Sequence, residues 1–425
     1  MVRHKPIVVT GAGVVCAIGN CKGQVAEALR SCRSGISTVE YLDTSHKEFP
    51  VGEVRMTNTE MRAAAGIAPG EVANRSSLMA VIAAGEALAQ AGLACIPEGV
   101  RVGLVTGTTV GGMDMSERHY RSFKDSDEHA AYIATHDCGS TNELIADRFP
   151  GLEMVTTVST ACSSAANAVM LGANLIDAGM ADVMVVGGTE CLTRFHLNGF
   201  KSLMILDREP CRPFDISRAG LNLGEGAAYL VIETEESARR RGVPVVCRLS
   251  GWGNACDAFH QTATSADGEG AYLSMKAALE SAGLQPSDID YINAHGTSTP
   301  NNDESEAVAV ERLFAGCMPA ISSTKSYTGH TTSASGAIES VICLLALEGG
   351  FMPANLNLTQ PLDRGIRPVM PDAAGNAPSA NLKNILCNSF GFGGNDSSLI
   401  VLTLLTKGVQ ESLSILHTPK TCGRQ

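Results

Sequence analysis

The sequence predicts an α/β protein in which two similar halves share a layered core. Short runs rich in valine and isoleucine, typical of buried strands, alternate with alanine-rich stretches that are typical of helices. The same alternation returns in the second half of the chain, as in repeated βαβ units. With 425 residues the chain is too long for one ordinary domain, and its 44% of apolar residues can fill a large core.

The first half begins with a predicted buried strand at Ile7–Thr10 that runs into a glycine-rich loop. Further strands are predicted at Arg101–Val105, Met154–Val158 and Asp182–Val186, and helices at Ser76–Ala91 and Ser164–Ala178. A highly charged helix at Glu233–Arg241 then predicts a solvated boundary between the halves near residue 240.

The second half repeats this order of elements. They are, in chain order, Val243–Leu249, Ala271–Ala282, Ile289–Asn293, Ala334–Leu347 and Ile385–Cys387. We therefore expect an N-terminal half over residues 1–240 and a C-terminal half over residues 241–406. Residues 407–425 are predicted to be a polar tail that frays.

The net charge of −12 disfavours a nucleic-acid partner and general attraction to anionic membranes. An acidic protein partner would need a local basic patch. The fourteen cysteines form no CxxC pair and show no zinc-ligand spacing, which predicts a reducing, cytoplasmic location and no metal site.

The N-terminus is basic and is followed by an apolar stretch, as in a signal peptide. Pro6 and several glycines interrupt this stretch, which favours a first strand instead. The sequence has no uninterrupted run of about 18 apolar residues, so no transmembrane helix is predicted.

The segment VSTACSSAA places Cys162 between a predicted strand and a predicted helix. A thiol at a helix N-terminus faces unpaired N–H groups and the helix dipole, and both favour the thiolate. Small neighbours leave room for a substrate to reach the sulfur. Taken alone, an inert cysteine buried in the core is the more common role of such a residue.

The segment NAHGTSTP places His295 at the end of a predicted strand, where α/β proteins carry their chemistry. Asp303 and Glu306 follow and can hydrogen-bond this loop or begin the next helix. A loop histidine that is satisfied by backbone groups explains the segment equally well.

The segment SSTKSYTGHT places Lys325 and His330 in a hydroxyl-rich loop before an apolar helix. Glu339 is a carboxylate inside that helix, and we expect Lys325 to be the partner that it needs. A capped surface loop is the alternative interpretation.

The segment CNSFGFGGND places Gly391, Gly393 and Gly394 among aromatic residues. This pattern predicts either a backbone that approaches a ligand or swings, or a tight hairpin turn. Gly11 and Gly13, after the first strand, suggest a dinucleotide site, but their spacing departs from GxGxxG, so we interpret them as a structural turn.

Cys162, followed in order by HGTSTP, SSTKSxTGH and NSFGFGG, resembles the elongating β-ketoacyl-ACP synthases of types I and II. The resemblance runs from Ile7 to about Leu404, and four motifs in this order are highly specific. It implies a thiolase-like fold of two similar halves in αβαβα layers, usually as a dimer, with no cofactor.

The resemblance implies an acyltransferase, a 3-oxoacyl-ACP synthase. Cys162 would take an acyl chain from acyl carrier protein as a thioester, while His295 and His330 assist the decarboxylation of malonyl-ACP. The enolate would attack the acyl thioester in a Claisen condensation that lengthens the chain by two carbons. The backbone N–H groups of Cys162 and Phe392 match the family's oxyanion hole, and Phe392 matches its gate.

Supporting roles are implied at further matching positions. Lys325 with Glu339 matches polar support behind the histidines, and Asp303 and Glu306 are counted with this support. The positions implied to bind substrate or carrier are Thr297, Thr299 and Thr262 for the phosphopantetheine arm, Val110 and Phe390 for the acyl chain, and Arg212 for the acidic carrier protein.

Two departures bear on the substrate and the partner. The family's GFGGTN is GFGGND here, with Asn395 and Asp396 in the last two places. The segment Cys191–Arg212 differs from housekeeping fatty-acid enzymes and is similar to aryl-polyene or related type II polyketide ketosynthases. The expected dimer partner is therefore a second copy or a chain-length-factor-like paralogue.

Rival interpretations fit the motifs less well. A chain-length factor lacks the nucleophile that Cys162 provides, and an initiating synthase of type III would use Cys-His-Asn without His330. A thiolase would need a second cysteine as base. From another class, an NAD(P)-dependent oxidoreductase accounts for the α/β pattern but leaves all four motifs unexplained.

Overall fold

The computed structural model describes residues 4–403. The predicted tail at 407–425 and the last three residues of the predicted C-terminal half lie outside the described residues. The strands are β1 (Ile7–Cys16), β2 (Val102–Gly107), β3 (Leu152–Val158), β4 (Val183–Glu190), β5 (Gly226–Thr234), β6 (Cys247–Cys256), β7 (Tyr291–Asn293), β8 (Ala320–Ser322), β9 (Arg367–Pro368), β10 (Asn384–Gly391) and β11 (Asn395–Leu402).

Helices connect these strands. They are α1 (Lys22–Arg30), α2 (Asn58–Ala65), α3 (Arg75–Gln90), α4 (Met113–His119), α5 (Ser140–Arg148), α6 (Ser164–Asp177), α7 (Arg194–Ser202), α8 (Glu235–Arg241), α9 (Glu269–Ala282), α10 (Pro300–Leu313), α11 (Lys325–Thr328) and α12 (Ser335–Gly349).

The strands form one sheet in the order β3-β2-β4-β5-β1-β6-β11-β10-β7-β8-β9. We number the strands of each half in chain order. From the outer edge of the sheet inward, the first half then has its third, second, fourth, fifth and first strands. The second half has the same order once the short edge strand β9 is set aside. In each half the third, second and fourth strands are parallel, and the fifth is antiparallel to its neighbours. The halves thus share one topology and meet where β1 pairs with β6.

Helices separate and cover the two halves of the sheet. The buried helices α6 and α12 each contact strands of both halves, so they form the middle layer. On the outer faces, α3 packs on β1, β4 and β5, and α9 packs on β6, β10 and β11. The predicted layered α/β architecture is confirmed.

The first strand is longer than predicted, because β1 continues through the glycines to Cys16. A Cβ on Gly11 would lie 2.1 Å from the carbonyl oxygen of Ala87 in α3, and one on Gly13 would lie 2.1 Å from that of Ala83. The glycines therefore permit close packing of the helix on the strand. The predicted loop after the first strand is wrong, and the dinucleotide interpretation loses its basis.

The chain between the halves also differs in detail from the prediction. Helix α8 is capped by the side chain of Thr234 and ends at Gly242, whose φ of 69° suits glycine. The next strand, β6, begins at Cys247 rather than at Val243. Pro244 has no N–H for a sheet hydrogen bond, which is consistent with this later start.

Among the described residues, the segment Thr332–Gly349 is long and apolar enough to cross a membrane. It contains α12, and 83% of it is buried inside the protein. Its composition is thus that of a helix in the middle layer.

Candidate active site

Four loops at the carboxyl ends of parallel strands meet at one cavity. His295 follows β7, the segment from Lys325 to His330 follows β8, and Phe392 follows β10, all in the second half. Cys162 follows β3 in the first half. The cavity has a volume of about 290 Å³ and is lined by Cys162, His295 and His330. Its walls extend to exposed residues, so it reaches the surface.

Cys162 lines this cavity and is buried. Ala161, which precedes it, has a φ of 53°, a left-handed conformation that is uncommon for alanine. This turn brings the chain from β3 to Ser163 and the start of α6. The Cys162 Sγ lies 3.1 Å from Nε2 of His330.

The protonation of Cys162 is set mainly by burial, which raises the pKa of the thiol to about 12. The ammonium of Lys325 and the backbone N–H of Phe392 oppose this rise but do not overcome it. Burial therefore acts against the thiolate that the helix N-terminus is expected to favour, and that expectation stays a prediction. Burial favours the thiol over the thiolate, so a nearby base would take its proton when the sulfur attacks.

Both histidines are buried and neutral. Burial lowers the pKa of His295 and of His330 well below 6.5, and the nearby Lys325 ammonium lowers both further. The two imidazole centroids are 5.3 Å apart. Nδ1 of His330 lies 3.1 Å from the hydroxyl of Ser335, so that nitrogen can donate while Nε2 faces the sulfur.

The loop that carries His295 is held by two carboxylates from α10. Glu306 accepts hydrogen bonds from the backbone N–H groups of His295 and Gly296, at 2.9 and 2.8 Å. Asp303 accepts from the backbone N–H groups of Ser298 and Phe214, at 3.0 and 2.9 Å. Both acids act on the backbone and lie outside the cavity lining.

Lys325 and Glu339 form a buried ion pair, as expected. Lys325 Nζ lies 2.5 Å from Glu339 Oε1, and the two side chains are 1% and 2% exposed. Burial raises the pKa of Glu339 to about 7 against the effect of Lys325. The pair places a positive charge close enough to both histidines to disfavour their protonation.

The glycine segment forms the hairpin between β10 and β11 and also lines the cavity. Gly393 and Gly394 have φ values of 83° and 78°, which suit glycine. The ring of Phe392 stacks on Phe200 of α7, with centroids 5.9 Å apart. Phe390 also lines the cavity, 5.7 Å from His295.

The remaining predicted residues divide into two groups. Thr262, Thr297 and Thr299 line the cavity, and the hydroxyls of the last two lie 2.8 Å apart. Val110 is packed in a separate core cluster and does not line this cavity. The guanidinium of Arg212 is bonded to Asp207 and to Ser217. The carrier contact of Arg212 and the chain-depth role of Val110 stay predictions.

Sequence reasoning missed two residues of the site. Phe200 lines the cavity and stacks on Phe392, and only its place in the segment Cys191–Arg212, which departs from the family pattern, pointed to it. Asn395 accepts hydrogen bonds from the Ser163 hydroxyl and the Asn167 amide, at 2.8 and 2.7 Å. Asn395 thus connects the hairpin to the start of α6. Its only signal in the sequence was that it departs from the family pattern at this position.

Two sequence profiles cover most of the chain. The family described as "Beta-ketoacyl synthase, N-terminal domain" matches residues 4–238, and "Beta-ketoacyl synthase, C-terminal domain" matches residues 246–359. Among curated relatives, a 3-oxoacyl-[acyl-carrier-protein] synthase 2 of Vibrio cholerae is 33% identical over 416 residues, which is 93% of this chain and 98% of the relative.

Solved structures agree with these relatives. The ishigamide ketosynthase/chain length factor superposes with a TM-score of 0.83 at 30% identity, covering 94% of this chain and 100% of that one. A type II polyketide ketosynthase bound to its acyl-carrier protein gives 0.83 at 26% identity, covering 95% and 100%. The predicted thiolase-like fold and the predicted ketosynthase function are confirmed: this chain belongs to the β-ketoacyl synthase family.

Proposed function

We propose that this ketosynthase condenses an acyl group held on Cys162 with malonyl-ACP to give 3-oxoacyl-ACP. The observation that carries the proposal is the 3.1 Å contact between Cys162 Sγ and His330 Nε2 in a cavity that His295 also lines. A nucleophile, its base and a second neutral imidazole are thus within reach of one bound thioester.

In the first step, the thiol of Cys162 attacks the carbonyl of an acyl-ACP thioester. Because burial favours the protonated sulfur, neutral His330 takes its proton as the C–S bond forms. The carrier's thiolate leaves and recovers that proton. The products are an acyl-Cys162 thioester and the free thiol of the carrier.

In the second step, malonyl-ACP loses CO₂ and becomes an enolate. The neutral imidazole of His295 can donate an N–H hydrogen bond to the thioester oxygen as its charge develops. His330 can do the same in the tautomer that carries the proton on Nε2, in which its Nδ1 accepts from the Ser335 hydroxyl. The charged Lys325 nearby disfavours protonation of both imidazoles. The enolate carbon attacks the acyl-Cys162 carbonyl, and the backbone N–H of Phe392, which points at the sulfur, is placed to hydrogen-bond the resulting oxyanion. Collapse expels the Cys162 thiolate, which takes a proton from solvent water through His330.

We further propose acyl carrier protein as the substrate carrier and a dimer as the working form. The exposed outer edge of β3 supports pairing with a second subunit, either another copy or a chain-length-factor-like paralogue. The thirteen cysteines within residues 4–403 are all unpaired, which supports a reducing, cytoplasmic location.

The test of the nucleophile uses intact-protein mass spectrometry and a condensation assay with purified acyl-ACP and malonyl-ACP. We expect Cys162→Ala to show no acyl adduct and no 3-oxoacyl-ACP. The control is Cys247→Ala, which removes another buried cysteine, on β6, and should keep both signals. Acylation of the Cys162→Ala variant at the native rate would show that the nucleophile lies elsewhere.

The test of the histidines separates decarboxylation from condensation. In Cys162→Gln the amide resembles a bound acyl group while both imidazoles remain. We expect this variant to convert malonyl-ACP to acetyl-ACP without condensation, and the further change His295→Ala to stop that conversion. Intact malonyl-ACP after incubation with Cys162→Gln would contradict the assigned role of the imidazoles.

A further inference from the structure

The turn that carries Cys162 and the hairpin that carries Phe392 belong to different halves of the molecule. Cys162 precedes α6 of the first half, whereas Phe392 lies between β10 and β11 of the second half. The family resemblance assigns one oxyanion hole to the backbone N–H groups of these two residues. Because both donors must lie about 2.7–3.1 Å from the oxyanion, the distance between the two segments has to be fixed.

Asn395 joins the two segments through one side-chain oxygen. Asn395 begins β11, directly after the hairpin. Its Oδ1 lies 2.8 Å from the hydroxyl of Ser163, the residue that follows Cys162. The same oxygen lies 2.7 Å from the amide nitrogen of Asn167, near the start of α6. The link therefore runs from the strand beside Phe392 to the residue beside the nucleophile.

The hairpin consists mostly of glycine and packs closely against the first half. A Cβ on Gly391 would lie 2.9 Å from the carbonyl oxygen of Thr160, in the loop after β3. Away from this contact, the hairpin is held within the second half, because the Gly393 N–H donates to the Gln261 carbonyl at 2.8 Å. Asn395 thus gives a directional contact with the first half to a loop whose glycines permit other conformations.

The amide at this position is a feature of this chain and departs from the family pattern. The pattern GFGGTN has threonine where this chain has Asn395. The amide oxygen is one bond farther from the backbone than a threonine hydroxyl, and its two lone pairs can accept two hydrogen bonds at once. Asn395 can therefore hold Ser163 and Asn167 together.

We propose that Asn395 is a positioning residue for acyl transfer. It fixes the backbone N–H of Phe392 relative to that of Cys162, so that both can donate to the oxyanion formed at the acyl carbonyl. This inference rests on the proposed function, because it needs the tetrahedral intermediates of acylation and condensation. Decarboxylation of malonyl-ACP develops its charge beside the imidazoles of His295 and His330, so it should not depend on Asn395.

The experiment measures acyl transfer and decarboxylation separately in Asn395→Ala. Intact-protein mass spectrometry follows the acylation of Cys162 by acyl-ACP. We expect the rate at saturating substrate to fall about 10- to 100-fold, because one oxyanion donor loses its alignment, and KM to change little. We expect Cys162→Gln to convert malonyl-ACP to acetyl-ACP at the same rate with and without Asn395→Ala. A general loss of structure would slow both reactions.

Two further variants serve as controls. Asn395→Asp keeps an acceptor oxygen at the same distance from the backbone and should restore native acylation. Asn384→Ala removes an amide from the opposite end of the β10–β11 pair and should leave both rates unchanged.

The Asn395→Ala variant should fold, because both donors keep a second partner in Thr160. The Ser163 hydroxyl lies 2.8 Å from the Thr160 carbonyl oxygen, and the Asn167 amide nitrogen lies 2.8 Å from the Thr160 hydroxyl. Urea denaturation checks this expectation.

Three outcomes would contradict these expectations. Native acylation by Asn395→Ala would overturn the positioning role and leave Cys162 as the nucleophile. Equal losses of acylation and decarboxylation would also overturn it, because the effect would not be selective for the oxyanion. A native chain that neither acylates Cys162 nor forms 3-oxoacyl-ACP would instead overturn the proposed function.

Discussion

The side chains around Cys162 are buried, and each is either neutral or paired. Burial disfavours the charged forms of the Cys162 thiol and of the two imidazoles. The ammonium of Lys325 is paired with the carboxylate of Glu339. The four motifs predicted which residues would meet. They could not predict protonation, because the pKa of Cys162 depends on how completely distant parts of the chain enclose it.

Replacing one partner of the Lys325–Glu339 pair should lower the free energy of unfolding more than replacing both partners. Glu339→Ala leaves a buried ammonium without a partner, and we expect a loss of about 3–5 kcal/mol in the free energy of unfolding. The double change Lys325→Met with Glu339→Leu should lose much less, because no charge stays buried. Urea denaturation measures both, and equal losses for the single and double changes would contradict the pairing argument.

Asp396 should make stability depend on pH. Its burial, with the carboxylates of Asp257 and Glu306 nearby, raises its pKa to about 8. Between pH 4 and pH 8 the folded chain therefore keeps a proton that the unfolded chain has lost, and folding weakens as the pH rises. We expect Asp396→Asn to be more stable than the native chain by about 1–3 kcal/mol at pH 8 and by little at pH 4.

The measurement for Asp396 is the difference in unfolding free energy between variant and native chain at several pH values. The control is Asp372→Asn, an exposed carboxylate in the loop after β9. A difference that stays constant from pH 4 to pH 8 would show that Asp396 is already ionised in the folded chain.

Single elements of the fold depend on close contact between backbones. In β1, glycine spacing suggested a loop, whereas the strand continues and α3 packs directly on it. The existence of both elements was predictable from their composition. The end of the strand was not predictable. A glycine that forms a turn and a glycine that lets a helix pack closely on a strand look alike in sequence.

Gly11→Ala and Gly13→Ala should each destabilise the fold, because the added methyl groups would lie 2.1 Å from backbone oxygens of α3. We expect a loss of about 1–3 kcal/mol or more for each. The matched control is Gly23→Ala in α1, where the new Cβ meets nothing within 4 Å and should stabilise the helix by up to about 1 kcal/mol. Urea unfolding curves test all three, and a neutral Gly11→Ala would contradict the packing argument.

At the scale of the whole molecule, the sheet has an edge that is left open. Within residues 4–403, β3 pairs only with β2, and along its length residues such as Glu153, Val155 and Thr156 are exposed. The sequence predicted a strand here from its apolar residues. It could not show that the strand would lie at an edge, since strand order follows from the packing of the whole chain.

If β3 pairs with a second subunit, Val155→Lys should convert a dimer to a monomer. Val155 is 39% exposed on the edge strand, and a charge there opposes both burial and strand pairing. Leu273→Lys is the control, because Leu273 on α9 is also 39% exposed. Sedimentation velocity gives the mass of each, and a Val155→Lys variant with the native mass would exclude β3 from the interface.

The repeated topology has a consequence for how such a protein can evolve. The loop after the third strand carries the sulfur of Cys162 in one half and the imidazole of His330 in the other. Equivalent positions in the two halves therefore carry different functional groups, and neither half alone contains the whole site. A related chain in which only this thiol is replaced would lose the proposed nucleophile but keep every layer of the fold. Such a chain could persist as an inactive subunit paired with an active one.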